Sequence, residues 1–187
     1  MISKRALSLL SVPAAILSLT CLPLCSGGPQ EEKAPQPAPG SQPVWIGKAE
    51  TTRWTDTTVK AAGTPEQKAV LERGKAATVT GELVDVSCYL QLGKRGAAHV
   101  PCGSDCIRNG QPAGIVDSEG NLTILMVEEH DPRRHGEIKV ADQLAALLAK
   151  TVTATGMLSV QNGYRALYVQ GSEIASMKPP APAAAPK

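Results

Sequence analysis

The segment VADQLAALLAKTVTATGMLSVQNGYRALYVQGSEI, residues 140–174, decides the fold. Its first part, residues 140–150, places apolar side chains on one helical face, at Val140, Leu144, Leu147 and Leu148, and so predicts an amphipathic helix. The second part, residues 151–174, contains Asn162-Gly163, a strong signal for a tight hairpin turn. The segment therefore predicts a helix followed by a two-stranded hairpin.

Three more strands are predicted upstream of this helix. The stretch TVTGELVDVSCYL, residues 78–90, is rich in β-branched residues, and Gly81 inside it indicates a bulge or a sharp bend. The stretch PAGIVDSEGNLTILMV, residues 112–127, predicts two strands joined by a Ser-Glu-Gly-Asn turn. A helix between the third and fourth of five strands is the order of an OB-fold barrel, and Gly156 is the counterpart of Gly81 in the fourth strand. We therefore predict a mainly β protein with a five-stranded OB-like barrel.

The N-terminus, residues 1–27, has the layout of a secretory signal peptide. Lys4 and Arg5 precede an almost unbroken apolar run that is followed by small residues. We therefore predict an exported protein, periplasmic or extracellular. As an alternative, lipidation of Cys21 or Cys25 would tether the protein to a membrane, although neither cysteine follows the small residue that such sites prefer.

The rest of the chain divides by composition. Residues 28–63 predict a flexible linker or arm, in which Trp45 and Trp54 are expected to anchor the chain on the domain. Residues 64–177 are the predicted OB-like domain, which begins with a short helix over residues 65–73. The Pro- and Ala-rich residues 178–187 predict a disordered tail.

The composition argues against nucleic acid as a partner. OB-folds often bind single strands by stacking bases on aromatic side chains in a basic groove. Here the net charge is only +2, aromatic residues make up 3% of the chain, and residues 113–127 contain no aromatic residue, Lys or Arg. We predict a monomer whose partner is a metal ion or another protein.

The stretch SCYLQLGKRGAAHVPCGSDC, residues 87–106, concentrates the reactive side chains. Pro101 and the later Asn109-Gly110 pair predict a short helix after the first strand, with Cys102 and Cys106 at i and i+4 on one face. His99 lies just before this helix, and Cys88 is expected at the end of the first strand. Four such donors, Cys88, His99, Cys102 and Cys106, suit zinc or copper(I). The sequence therefore predicts a non-enzymatic binding module with a Cys/His transition-metal site.

Two alternatives use the same residues without metal. In an oxidising compartment Cys88 would pair with Cys102 or Cys106, which leaves one thiol over in a disulfide-stapled interaction domain. A reactive or redox thiol is the other alternative, with Cys102 near a helix start and His99 as its base. Further along, EEHDPRRHG, residues 128–136, predicts a solvated loop, or a second and weaker metal site at His130 and His135. A structural role is expected for Asp85.

The chain resembles a group of exported bacterial OB-like domains. The residues that carry the resemblance are GELVDVSCYL, the spacing His99-x2-Cys102-x3-Cys106, NGQPAGIV, GNLTILMV and the TVTATG strand, within residues 76–174. The Cys/His spacing is the most specific part of this pattern. The resemblance implies the barrel fold and brings no catalytic residue with it.

Overall fold

The computed structural model describes residues 43–128 and 139–177. The strands in these residues are β1 Val44–Ile46, β2 Lys75–Asp85, β3 Ala113–Val116, β4 Leu122–Val127, β5 Thr151–Gln161 and β6 Tyr164–Val169. The α-helices are α1 Asp56–Ala61, α2 Pro65–Arg73, α3 Val86–Leu92, α4 Val100–Arg108, α5 Ala141–Ala145 and α6 Gly171–Ala175. Two short 3₁₀ helices span Ala49–Thr51 and Ala97–His99. None of the helices in the described residues is long and apolar enough to cross a membrane.

Five of the strands close into a barrel. Antiparallel ladders join β2 to β3 and β5, β3 to β4, and β5 to β6, while β4 runs parallel to β6. This is the pairing of an OB-fold, so the predicted mainly β, five-stranded OB-like barrel is confirmed. β1 adds a parallel strand that pairs with Val152–Ala154 of β5, ahead of the part of β5 that pairs with β6, and its Ile46 is fully buried in the core. Part of the sequence-predicted arm thus contributes to the fold.

Two strand glycines allow the barrel backbones to approach closely. The ladder between β2 and β5 runs unbroken from Lys75–Leu158 to Glu82–Thr151, so Gly81 marks no bulge in it. A Cβ atom on Gly81 would lie 2.2 Å from the carbonyl oxygen of Val116. A Cβ atom on Gly156 would lie 2.3 Å from the carbonyl oxygen of Tyr168. Both positions require glycine because neighbouring backbone occupies the space of a side chain.

Local signals confirm the predicted helix α2 and the hairpin. Thr64 and Gln67 form the reciprocal capping box at the start of α2. Positive φ angles at Asn162 (50°) and Gly163 (86°) turn β5 into β6. The last residues of the predicted hairpin form α6 instead of strand. Trp54 anchors its segment by donating from Nε1 to the Leu71 carbonyl at 2.9 Å, whereas Trp45 is 61% exposed, so its predicted anchoring role is wrong.

Helix α5 follows β4 and precedes β5 in the chain, and its side chains cover the barrel core. It is shorter than the predicted helix over residues 140–150, because the chain after Ala145 continues as turns up to a positive φ at Ala149. Its predicted apolar face is nevertheless buried, at Val140, Leu144, Leu147 and Leu148. These side chains join the barrel interior in one hydrophobic core. Ile107 of α4 belongs to the same buried core, so α4 packs against the apolar side of this segment.

Candidate metal centre

Cys88 lies on a helix, which corrects its predicted place at the end of a strand. The predicted strand over residues 78–90 ends at Asp85, and α3 follows at once. Asp85 caps this helix, because its Oδ1 accepts a hydrogen bond of 3.0 Å from the Ser87 amide. Gly93 ends the helix with a φ of 66°. The two caps outweigh the β-branched residues that favoured a strand, and they turn Cys88 toward α4.

A buried ion pair folds the loop after α3 back onto the barrel. The Arg95 Nε and Nη2 groups donate to Glu82 Oε2 at 3.0 and 2.8 Å. The Gly96 amide donates to Glu82 Oε1 at 2.7 Å. The side chains of Glu82 and Arg95 are only 4% and 9% exposed, so the ion pair, which we call the Glu82–Arg95 clip, is buried. It brings His99 to the start of α4.

Helix α4 presents its cysteines as the sequence predicts. Pro101 lies in the first turn and Cys102 and Cys106 lie one turn apart. The helix rests on α5, where Ser104 Oγ donates to the Ala145 carbonyl at 3.1 Å. A Cβ atom on Gly103 would lie 2.7 Å from a Leu148 methyl group and 2.8 Å from His99 Nε2. Glycine at this position therefore lets the His99 ring and α5 pack against the helix.

Three cysteines converge between α3 and α4. The Sγ atoms of Cys88, Cys102 and Cys106 all lie within 4.8 Å of one another. Cys102 is exposed, the other two are half-buried, and all three are free thiols. Zinc–sulfur bonds are about 2.3 Å long, so two thiolates on one ion lie at most about 4.6 Å apart. Small side-chain movements would bring all three sulfur atoms onto a single cation.

A second group of donors shares Cys88 and lies deeper. Ligand atoms of Asp85, Cys88 and His99 also lie within 4.8 Å of one another. Asp85 Oδ2 and His99 Nε2 are 3.6 Å apart. His99, the predicted fourth ligand, is thus grouped with Cys88 and Asp85 rather than with Cys102 and Cys106.

Both buried residues have polar atoms that lack a hydrogen-bond partner in the described part of the chain. Asp85 is fully buried and His99 is 5% exposed, and the atoms concerned are Oδ2 and Nε2. The sequence prediction treated Asp85 as structural. Asp85 and Gly93 are spaced so that they can cap the two ends of one short helix. This spacing was the available sequence signal that Asp85 and Cys88 lie within the first turn of that helix.

The environment keeps the thiols of Cys88 and Cys106 protonated when no cation is present. A hydrogen bond to the Asp85 carboxylate, together with burial and the charge on Asp85, raises the pKa of Cys88 to about 12. Burial, and then the Asp85 charge, also raises the pKa of Cys106. A nucleophilic cysteine needs the opposite effect, since the thiolate is the reactive form. A metal cation would reverse the balance by stabilising the thiolates.

Some sequence-predicted residues fall elsewhere. Cys21, Cys25, His130 and His135 lie outside the described residues. Glu128, which the sequence placed beside those histidines, is buried, and its Oε1 accepts hydrogen bonds from the Thr55 amide and hydroxyl at 2.9 and 3.0 Å. Glu128 therefore holds Thr55, the N-cap residue of α1, in place.

Comparison with known proteins identifies no relative for this chain. No protein-family model matches it, and neither the curated proteins nor the solved structures contain a significant match. Its function must therefore be argued from the geometry of the site.

Proposed function

We propose that this protein is an exported, non-enzymatic binding module for a thiophilic transition metal, zinc or copper(I). The observation that carries the proposal is the mutual approach of the Cys88, Cys102 and Cys106 Sγ atoms within 4.8 Å. Thiolate sulfur is the donor that both metals favour. The barrel is the scaffold, and the thiolates hold the ion at its surface.

The surroundings of the thiols support a metal better than the two metal-free alternatives. The raised pKa values of Cys88 and Cys106 oppose a reactive thiolate at those two positions. His99, the base that a reactive Cys102 would need, is grouped with Asp85 and Cys88 instead. A disulfide from Cys88 to either cysteine of α4 would leave the third thiol unpaired in an oxidising compartment. An ion that engages all three protects each of them. Export itself is inferred from the N-terminal sequence.

Metal analysis of the exported protein tests the proposal. We expect protein purified from the periplasm to carry bound zinc or copper, and its three thiols to resist alkylation until a chelator is added. Native mass measurement before and after the chelator gives the stoichiometry. A protein without metal, lighter by one pair of hydrogen atoms and with one thiol open to alkylation, would show the disulfide-stapled domain instead.

The metal affinity is expected to rise steeply with pH. Cys88 and Cys106 have raised pKa values, so at neutral pH these two thiols are protonated and the ion must displace their protons. With two such protons displaced, the apparent affinity rises by up to about a hundredfold per pH unit while both thiols remain protonated. Competition with a chelator of known affinity at several pH values measures this slope. An affinity that does not change with pH would mean that the thiols are not the ligands.

A further inference from the structure

Beneath the three thiols lies a pair of buried groups whose facing polar atoms lack a hydrogen-bond partner in the described residues. Asp85 Oδ2 and His99 Nε2 point toward each other at 3.6 Å, and neither atom has a hydrogen-bond partner there. Buried polar groups are nearly always paired, and a buried carboxylate is costly without a nearby cation. Arg95, which lies in the loop just before His99, is engaged with Glu82.

The spacing of these groups matches the spacing of ligands on one ion. Metal bonds to imidazole nitrogen and carboxylate oxygen are about 2.0–2.2 Å long, so two such ligands at a tetrahedral angle lie about 3.4 Å apart. The observed 3.6 Å between Asp85 and His99 is close to this separation. Cys88 lies within 4.8 Å of both groups and supplies a third donor.

We propose that Asp85, Cys88 and His99 form a second metal position, and that the Cys88 thiolate bridges it to the ion held by the three cysteines. This deepens the proposed function and rests on it, because Cys88 belongs to both donor sets. The inner position offers oxygen, nitrogen and sulfur, a mixture that zinc accepts. The outer position offers sulfur alone.

Charge balance supports two ions rather than one. Three metal-bound thiolates and the Asp85 carboxylate carry four negative charges, and the carboxylate is fully buried. One divalent ion would leave half of this charge uncompensated, whereas two divalent ions neutralise it. The negative charge of the shared Cys88 thiolate would then lie between the two cations and reduce their mutual repulsion.

Zinc titration and cadmium NMR of the full-length protein test the second position. We expect native mass spectrometry of the zinc-loaded protein to show two ions per chain. The cadmium-loaded protein should give two resonances, the all-sulfur site at lower field than the mixed-ligand site. Asp85→Asn should reduce the zinc stoichiometry to one and should remove or shift only the higher-field resonance. His99→Gln should have the same effect.

Asparagine is the informative replacement because it separates the two roles of Asp85. Its amide oxygen can still cap α3 at the Ser87 amide, as the aspartate does, while the negative ligand is lost. Circular dichroism and Trp fluorescence verify that the variant is folded. Asp105→Asn is the matched control, since it removes an exposed carboxylate from α4 next to Cys106, and it should retain both ions.

The outcomes separate this proposal from the function on which it rests. One bound ion, one cadmium resonance and three protected thiols would overturn the second position and leave the thiolate site standing. Two ions bound by Asp85→Asn would overturn the assignment of Asp85. Failure of the wild-type protein to bind zinc, cadmium or copper(I) would overturn both proposals.

Discussion

Replacement of Cys88 by serine is expected to abolish metal binding at both positions. Cys88 is the donor common to the two groups, so its loss leaves Cys102 and Cys106 on one side and Asp85 with His99 on the other. Loss of a residue that only supports a ligand typically lowers metal affinity by about 10- to 100-fold, so loss of the shared ligand should lower it by more than about 100-fold. Titration with zinc against a competing chelator measures the change.

Two comparison variants define what the Cys88→Ser result means. Ser87→Ala alters the preceding residue on α3 and should keep wild-type affinity, because the Asp85 carboxylate accepts its capping hydrogen bond from the Ser87 backbone amide and not from the hydroxyl. Cys102→Ser removes the most exposed thiol, so it should weaken the outer ion and retain the inner one. If Cys88→Ser binds zinc as tightly as the wild-type protein, the cluster is not the metal site.

Replacement of Gly81 by alanine is expected to destabilise the barrel severely. The new Cβ would lie 2.2 Å from the Val116 carbonyl oxygen and 2.6 Å from its carbonyl carbon, so main chain rather than a flexible side chain would have to move. Overpacking usually costs about 1–3 kcal/mol. A clash with backbone at the junction of two ladders should reach at least about 3 kcal/mol, a large part of the stability of a small domain.

Gly63→Ala is the matched control for this experiment. The nearest atom to a Cβ on Gly63 is the Gln67 side-chain oxygen at 3.8 Å, which is an ordinary contact. Its effect should stay within about 1 kcal/mol, and a small stabilisation is expected because alanine restricts the unfolded chain. Urea unfolding followed by the fluorescence of Trp54 gives both free energies. Equal midpoints for Gly81→Ala and Gly63→Ala would show that the barrel relaxes around position 81.

The barrel could be predicted because its signals are local and repeated. Asn162-Gly163 specifies its turn within two residues, and the apolar face from Val140 to Leu148 needs only helical periodicity. The positions of Cys102 and Cys106 follow in the same way, because Pro101 starts their helix and Asn109-Gly110 ends it.

The deeper half of the site could not be predicted from local signals. The β-branched residues before Cys88 favour a strand, and only the capping role of Asp85 ends it early. The burial of Asp85 and His99 depends on how α3 and α4 cover the end of the barrel, which is a property of distant segments. The pairing of Arg95 with Glu82, thirteen residues apart in the chain, is likewise visible only after folding.

The clip between Glu82 and Arg95 has a consequence for metal exchange. It holds the loop between the two cysteine-bearing helices through side chains that are not ligands, so the donors are preorganised before an ion arrives. Structural zinc sites in small fingers behave differently, because those domains unfold when the metal leaves. Here the ordering is achieved by the barrel itself. The ion is therefore expected to bind and dissociate without unfolding the domain, which is the behaviour of a metal carrier or a metal buffer.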